Sequence, residues 1–225
     1  MLKYASQTQV ARQHWSDETS LFELRFFIIA LSASFEASDV HTERGQTPKA
    51  LNDFTIHGLW PKKYRGKDPK CKSQEQFNIT VLQGLRSDLL RLWPSLSNYS
   101  SPETFWKHEF DKHGKCALQD PLIHDQYNYF KFGIDLMKKL NLLEALKNHG
   151  ITPNASKQYN KTAFQKVFES ELGHNGSIKC INASGQSSVN LLEEVRLCLN
   201  LTHQYTDCPP IGKCPEKFTF PPFES

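Results

Sequence analysis

Apolar positions recur at helical spacing through the middle of the chain and alternate towards its ends. Val81, Leu82, Leu85, Leu89, Leu92 and Trp93 follow one another at helical intervals and stop at Pro94, which predicts a helix. A second helix is predicted from "SPET": Ser101 suits the cap, Pro102 the first turn and Gly114 the C-terminal end. Tyr127, Phe130, Ile134 and Met137 mark a third helix. "NLLEALKNHG" marks a fourth, ending at Gly150, and "TAFQKVFESELG" a fifth, ending at Gly173. "DFTIHGLW" reads as a strand, with Thr55, His57 and Leu59 on one face, Phe54, Ile56 and Gly58 on the other, and Pro61 closing it. "SIKCIN" and "EEVRLCLNL" alternate as strands, and "CPPIGKC" is a turn-rich closure. Helices in the middle and strands at both ends predict an α+β class: a central antiparallel sheet with several helices packed around it.

The N-terminal region is irregular. "RFFIIALSAS", Arg25 to Ser34, has a basic residue, a short apolar run and a small-residue zone, so residues 25–38 read as signal-peptide-like. A buried strand or helix is the second reading, and the run is too short to span a bilayer. Residues 41–53 are polar with Gly and Pro and read as a loop or linker. The expected division is an atypical N-terminal segment, 1–45, and a catalytic domain, 46–225.

Composition narrows the class. With 225 residues, 38% hydrophobic and 12% aromatic, the chain has enough apolar material for a folded core and is not of disordered composition. A net charge of +3 is compatible with an anionic substrate without demanding one. Six cysteines without a CxxC pair argue against a zinc ribbon or a thioredoxin-like site, and the even count fits three disulfides in any of fifteen pairings. Seven N-glycosylation sequons, at Asn78, Asn98, Asn154, Asn160, Asn175, Asn182 and Asn200, point with the cysteines to an oxidising compartment. The expected location is extracellular, or vacuolar within the secretory pathway.

"FWKHEFDKHGKC", residues 105–116, gathers two histidines, a glutamate and lysines. On an α-helix Glu109 and His113 share a face, and His108 and Lys112 form the neighbouring stripe. His108 and His113 would stand about 140° apart. Zinc proteases need H-E-x-x-H; the spacing here is one residue longer, so no metal and no cofactor are expected. A solvated charged face is the bland reading, weakened by the flanking Phe105, Trp106 and Phe110. Histidine suits acid–base work near neutral pH, and an acid–base pair needs a second one from elsewhere. His57, before a glycine on the predicted strand, is the best candidate. His14, His41, His124, His149, His174 and His203 read as surface residues.

"FTIHGLWP" (54–61) and "FWKHEFDKHGKC", in this order, closely resemble the two active-site signatures of the ribonuclease T2 family. The resemblance runs from about Asn52 to Pro221, includes Trp93-Pro94 and the "DCP…C" close, and is nearest the plant branch of S-type and S-like ribonucleases. It implies a secreted, metal-independent endoribonuclease on a T2-like fold. Such an enzyme cleaves single-stranded RNA by transphosphorylation to a 2′,3′-cyclic phosphate, then a 3′-phosphate. DNA, lacking the 2′-hydroxyl, cannot react. By this resemblance His57 is the proton donor and His113 the base, Glu109 and Lys112 stabilise the pentacovalent phosphorus, and His108 binds phosphate. Phe105 stacks on a base, and Ser95 and Leu96 fall in a base-contacting loop; Trp60 and Trp106 read as packing. The implied disulfides are Cys71–Cys116, Cys180–Cys214 and Cys198–Cys208. The expected partner is single-stranded RNA, with no DNA and no membrane. An F-box-type or other protein partner is expected if the chain is S-type, and the protein is expected to be a monomer. Self-incompatibility and RNA scavenging are the expected roles; the alternative is a non-catalytic secreted glycoprotein for storage or recognition on the same scaffold. The family's "QLVLQWP"-type first strand and its nearby Cys pair have no counterpart before His57, so that strand is expected to be missing or replaced. Residues 21–34, with Phe22, Leu24 and Phe26 alternating against Glu23 and Arg25, are expected to fill the slot imperfectly, because "FFIIALSAS" loses the alternation of a one-sided sheet.

Overall fold

A computed structural model describes residues 24–33, 52–63, 66–71, 73–96, 101–183, 186–210 and 212–223. Its elements in chain order are β1 (Phe26–Ser32), β2 (Thr55–Lys62), a 3₁₀ stretch (Ile79–Leu85), α1 (Arg86–Leu92), α2 (Pro102–Glu109), a π turn (Phe110–Gly114) and α3 (Lys115–Ala117). Then come α4 (Gln126–Lys139), α5 (Leu142–Asn148), β3 (Gln158–Asn160), α6 (Lys161–Leu172), β4 (Ser177–Ala183), β5 (Gln186–Asn200), β6 (Tyr205–Thr206) and β7 (Lys217–Thr219). The sheet has seven strands in the order β2-β1-β5-β7-β3, with β4 and β6 also paired to β5. All pairings are antiparallel except β5 with β7. Long β5 is the spine, with β1 on one edge and β4 on the other.

The leader-like stretch is a strand. Phe26 to Ser32 pairs with β2 on one side and β5 on the other at every position. Its residues lack alternation because both faces are covered. Phe27, Ile29 and Leu31 enter the main core, while Phe26, Ile28 and Ala30 join Trp60 and Cys198 in a second cluster. A strand buried on both sides reads as a continuous apolar run. The slot expected to be vacant or poorly filled is therefore filled. Each fully buried Ile or Leu there contributes about 1.5–3 kcal/mol of apolar burial. The expected N-terminal segment thus includes a central strand. Phe22 and the rest of 1–23, and the linker 41–51, lie outside the described residues.

Other differences are local. The first predicted helix is split between the 3₁₀ stretch and α1, with Val81 exposed. Tyr127 is exposed, and it is Tyr129 that faces the core. Ser101 stands at the N-cap of α2, and Pro102 opens the first turn. Gly114 is right-handed (φ −58°) and does not end the helix. A Cβ there would meet Phe110 at 2.5 Å and Tyr129 at 3.1 Å, so the glycine serves close packing. Gly150 and Gly173 end their helices at positive φ as expected.

Three disulfides form: Cys71–Cys116, Cys180–Cys214 and Cys198–Cys208, with Cα–Cα distances of 5.2, 4.7 and 5.2 Å. The first ties the loop after β2 to α3.

Candidate active site

His57 is placed by a bulge. Ala30 pairs with Gly58 and Leu31 with Ile56, so His57 is the extra residue on β2. The bulge resets the strand's phase: Phe54, Ile56 and Leu59 share the core face, so the expected grouping of Thr55, His57 and Leu59 does not hold. Two buried side chains satisfy the backbone here. The Trp93 indole donates to the His57 carbonyl at 2.9 Å, and the Tyr129 hydroxyl to the Leu59 carbonyl at 2.9 Å. Trp106 in turn donates to the Trp93 carbonyl at 2.7 Å. A chain of indoles thus fixes the bulge to the helix that carries the second motif.

Trp60 is the centre of the site and more than packing. Its ring lies edge-on to His57 (5.1 Å between centroids) and tilted against His113 (5.4 Å). Its Nε1–H donates to Glu109 Oε2 at 3.0 Å. Gly58 makes this bond possible: a Cβ there would lie 2.1 Å from Trp60 Nε1 and 2.3 Å from Glu109 Oε2. The motif "HGLW" is thus one device, a bulged histidine, a missing side chain and an indole reaching through the gap.

His113 and Glu109 are both buried, whereas His108 and Lys112 are exposed. His113 lies in the π turn, where the Lys115 N–H reaches back to the Phe110 carbonyl. The angle of about 140° between His108 and His113 belongs to a regular α-helix and does not apply across this turn. Among the described residues no group of three or more His, Cys, Asp and Glu is placed to hold a metal ion. Phe105 is half-buried, its ring centroid 6.2 Å from that of His57. Ser95 is buried and Leu96 half-buried on the loop after Trp93-Pro94.

The environments of the two histidines are opposite. Burial pulls the His57 pKa down, but the hydrogen bond and charge of Glu194 and the charge of Glu109 outweigh it, and the net shift is upward. Burial, joined by the charges of Lys62 and Lys112, drives the His113 pKa down to about 3. Burial also raises the Glu109 carboxyl, despite the Trp60 hydrogen bond and the nearby cations.

Glu194 was not singled out in the sequence. On β5, and 2% exposed, it lies 2.7 Å from His57 Nδ1 through Oε2. Arg196 Nε holds its other oxygen and the Arg196 guanidinium sits 5.3 Å from the Trp60 ring centroid. Burial would raise the Glu194 pKa; the His57 and Arg196 interactions lower it further than burial raises it. Lys62 is the other unexpected member, ion-paired to Asp68 and lying over Trp60 at 5.4 Å.

Of the sequon asparagines, Asn78, Asn154, Asn160 and Asn182 are exposed and Asn175 and Asn200 half-buried; Asn98 lies outside the described residues. No helix among the described residues is long and apolar enough to cross a membrane.

The profile of the Ribonuclease T2 family matches residues 26–208. Ribonuclease 3 of Arabidopsis thaliana is 34% identical over 207 residues, covering 90% of each chain. Intracellular ribonuclease LX of Solanum lycopersicum is 36% identical over 185 residues, covering 80% of this chain and 75% of that one. The crystal structure of RNase NT in complex with 5′-AMP superposes with a TM-score of 0.76 at 33% identity, over 90% of this chain and all of the other.

Proposed function

Because the chain belongs to the ribonuclease T2 family and is an endoribonuclease of that type, we propose that it cleaves single-stranded RNA by transphosphorylation, with His57 and His113 as the proton-transfer pair. The observation that carries this reading is the single indole flanked by two histidines of opposite electrostatic setting. Acid and base in one mechanism need pKa values pushed apart by their surroundings.

His113, kept neutral by burial and two lysines, takes the proton of the 2′-hydroxyl. The 2′-oxygen attacks phosphorus as the bond to the 5′-oxygen breaks. His57, kept protonated by its carboxylates, gives its proton to that leaving oxygen. The product is a 2′,3′-cyclic phosphate. Hydrolysis to the 3′-phosphate runs with the roles exchanged: neutral His57 activates water and protonated His113 returns a proton to the 2′-oxygen. Charge building on the phosphoryl oxygens is met by Lys112 and His108. Glu109 would repel that charge as a carboxylate. Burial raises its pKa, so it takes up a proton more readily than an exposed carboxylate as that charge builds, while Oε2 accepts from Trp60. Phe105, beside His57, offers a ring on which a base stacks; Ser95 and Leu96 are assigned to base contact by family position alone.

The protein acts in the secretory pathway, extracellular or vacuolar, a reading supported by three disulfides and by six described sequon asparagines, four exposed and two half-buried. Self-incompatibility, with an F-box-type partner, and RNA scavenging are the two roles this placement suits. The test is incubation of purified protein with a single-stranded RNA and its DNA counterpart in excess EDTA, with mass analysis of the ends. A 2′,3′-cyclic phosphate from RNA and intact DNA are expected. Cleavage that required added zinc, or that left 5′-phosphates, would sink the mechanism.

A further inference from the structure

We propose that Glu194 is the positioning residue for the proton donor: its carboxylate, held by Arg196, accepts the Nδ1–H of His57 and leaves the transferable proton on Nε2. The proposal rests on the reading of His57 as donor.

The sheet builds this arrangement. β2 and β5 flank β1, and Gly58, Ala30 and Arg196 share one row across the three strands. Two of these are the smallest residues available, so the long side chains of β5 can meet His57 above them. Glu194, Arg196 and Cys198 alternate onto the face of Ala30 and Trp60. An ionised carboxylate has no proton to give, so the nitrogen 2.7 Å from Glu194 Oε2 must be the donor. The His57 side chain is 40% exposed while Glu194 is 2% exposed. One ring edge is therefore committed to the protein and the other is open to substrate.

The proton count closes. As the bond between phosphorus and the 5′-oxygen breaks, Nε2–H passes to that oxygen and its electron pair remains on Nε2. The neutral ring keeps Nδ1–H on Glu194. Glu194 takes up no proton, because Arg196 stabilises its charge. Three charged groups act on His57, Glu194 from β5, Glu109 from α2 and Lys179 from β4, and Arg196 from β5 is ion-paired to Glu194. Without the Glu194 charge, burial and Lys179 are opposed by Glu109 alone, and His57 loses its proton at lower pH.

The experiment compares wild type, Glu194→Gln, His57→Ala and His113→Ala on two substrates. One is a dinucleoside phosphate, whose 5′-oxygen needs protonation. The other is uridine 3′-(4-nitrophenyl phosphate), whose leaving group does not. Glu194→Gln should lose about tenfold or more on the dinucleotide, a part of the 10²–10⁴ of general acid catalysis. Its alkaline limb should move to lower pH, and its rate on the nitrophenyl ester should stay near wild type. His57→Ala should show the same contrast and His113→Ala should fail on both. Equal loss of Glu194→Gln on both esters, with His57→Ala showing the contrast, overturns the proposal alone. Equal loss of His57→Ala on both overturns the donor reading and the proposal with it. A ¹⁵N NMR spectrum of the wild-type protein gives an independent check that needs no variant to fold. Neutral His57 should carry its proton on Nδ1; a proton on Nε2 instead overturns the proposal.

Discussion

His57 stands on a strand, at a bulge, with a buried carboxylate on its inner nitrogen and another carboxyl nearby. His113 stands in a π turn, buried, with Lys62 and Lys112 facing it. Both lie against Trp60, yet one is held towards its charged form and the other towards its neutral form. An identical side chain is thus set up for opposite proton work, as proposed above, according to the sign of its neighbours. The division costs stability in opposite pH ranges. The unfolded chain binds a proton at His113 below about pH 6.5, whereas the folded chain does so only near 3. The stability from His113 is therefore complete above about 6.5 and is lost as pH falls from there towards 3. The contribution of His57, whose folded pKa is raised, is complete below about 6.5 and lost as pH rises through the folded value.

The largest expected effect comes from removing either histidine. His57→Ala and His113→Ala should each lower kcat at least about 10²-fold. They should differ in pH profile: wild type should be bell-shaped, His57→Ala should lose the alkaline limb and His113→Ala the acid limb. Identical profiles for the two variants would mean that their surroundings do not divide the labour. Next is the covalent tie between the two segments. Replacing Cys71 and Cys116 by Ser should cost about 2–4 kcal/mol in chemical denaturation, with the other two disulfides retained. Trp60→Phe keeps a ring beside both histidines and removes the donor to Glu109. A loss of about 1.5–3 kcal/mol, the range for a hydrogen bond to a charged group, is expected. The smallest effect is the most selective. Lys62→Met removes one cation facing His113, so the acid limb should move to higher pH by about a unit or less while the alkaline limb stays put. Movement of the alkaline limb instead would place Lys62 with the wrong histidine.

Much of this site was legible because it is local. "HGLW" and "KHEFDKHG" concentrate their chemistry in short runs, and the resemblance paired the cysteines. What escaped was non-local or lay outside ordinary periods. β1 reads as leader-like because a strand covered on both faces and a leader's apolar stretch have the same composition. Glu194 and Arg196 looked like the polar positions of an alternating strand. Their partner His57 is 137 residues from Glu194, and nothing near "EEVRLCLN" announces it. The bulge left no trace in the pattern because the extra residue on β2 is defined only by its pairing with β1. Trp60 reads as packing in the sequence because its contact with Glu109 depends on the absence of a side chain at Gly58, across a gap that closes only in three dimensions.

A π turn is an α-helix that holds one residue too many and absorbs it on the spot, so the turns before and after keep the phase of a helix one residue shorter. Counting along the chain therefore misleads across Phe110–Gly114. His108 and His113 are five apart in number, but the extra residue falls within this stretch, so helical counting does not give their angle. The stretch should also tolerate length changes unevenly. Deleting Asp111 would let the helix close up as α, with Cys116 still facing Cys71 and only the site lost. Deleting Lys107, in regular helix, would swing all that precedes it by about 100° relative to all that follows. The molecule carries at this point a spare unit of length, and has set His113 within it.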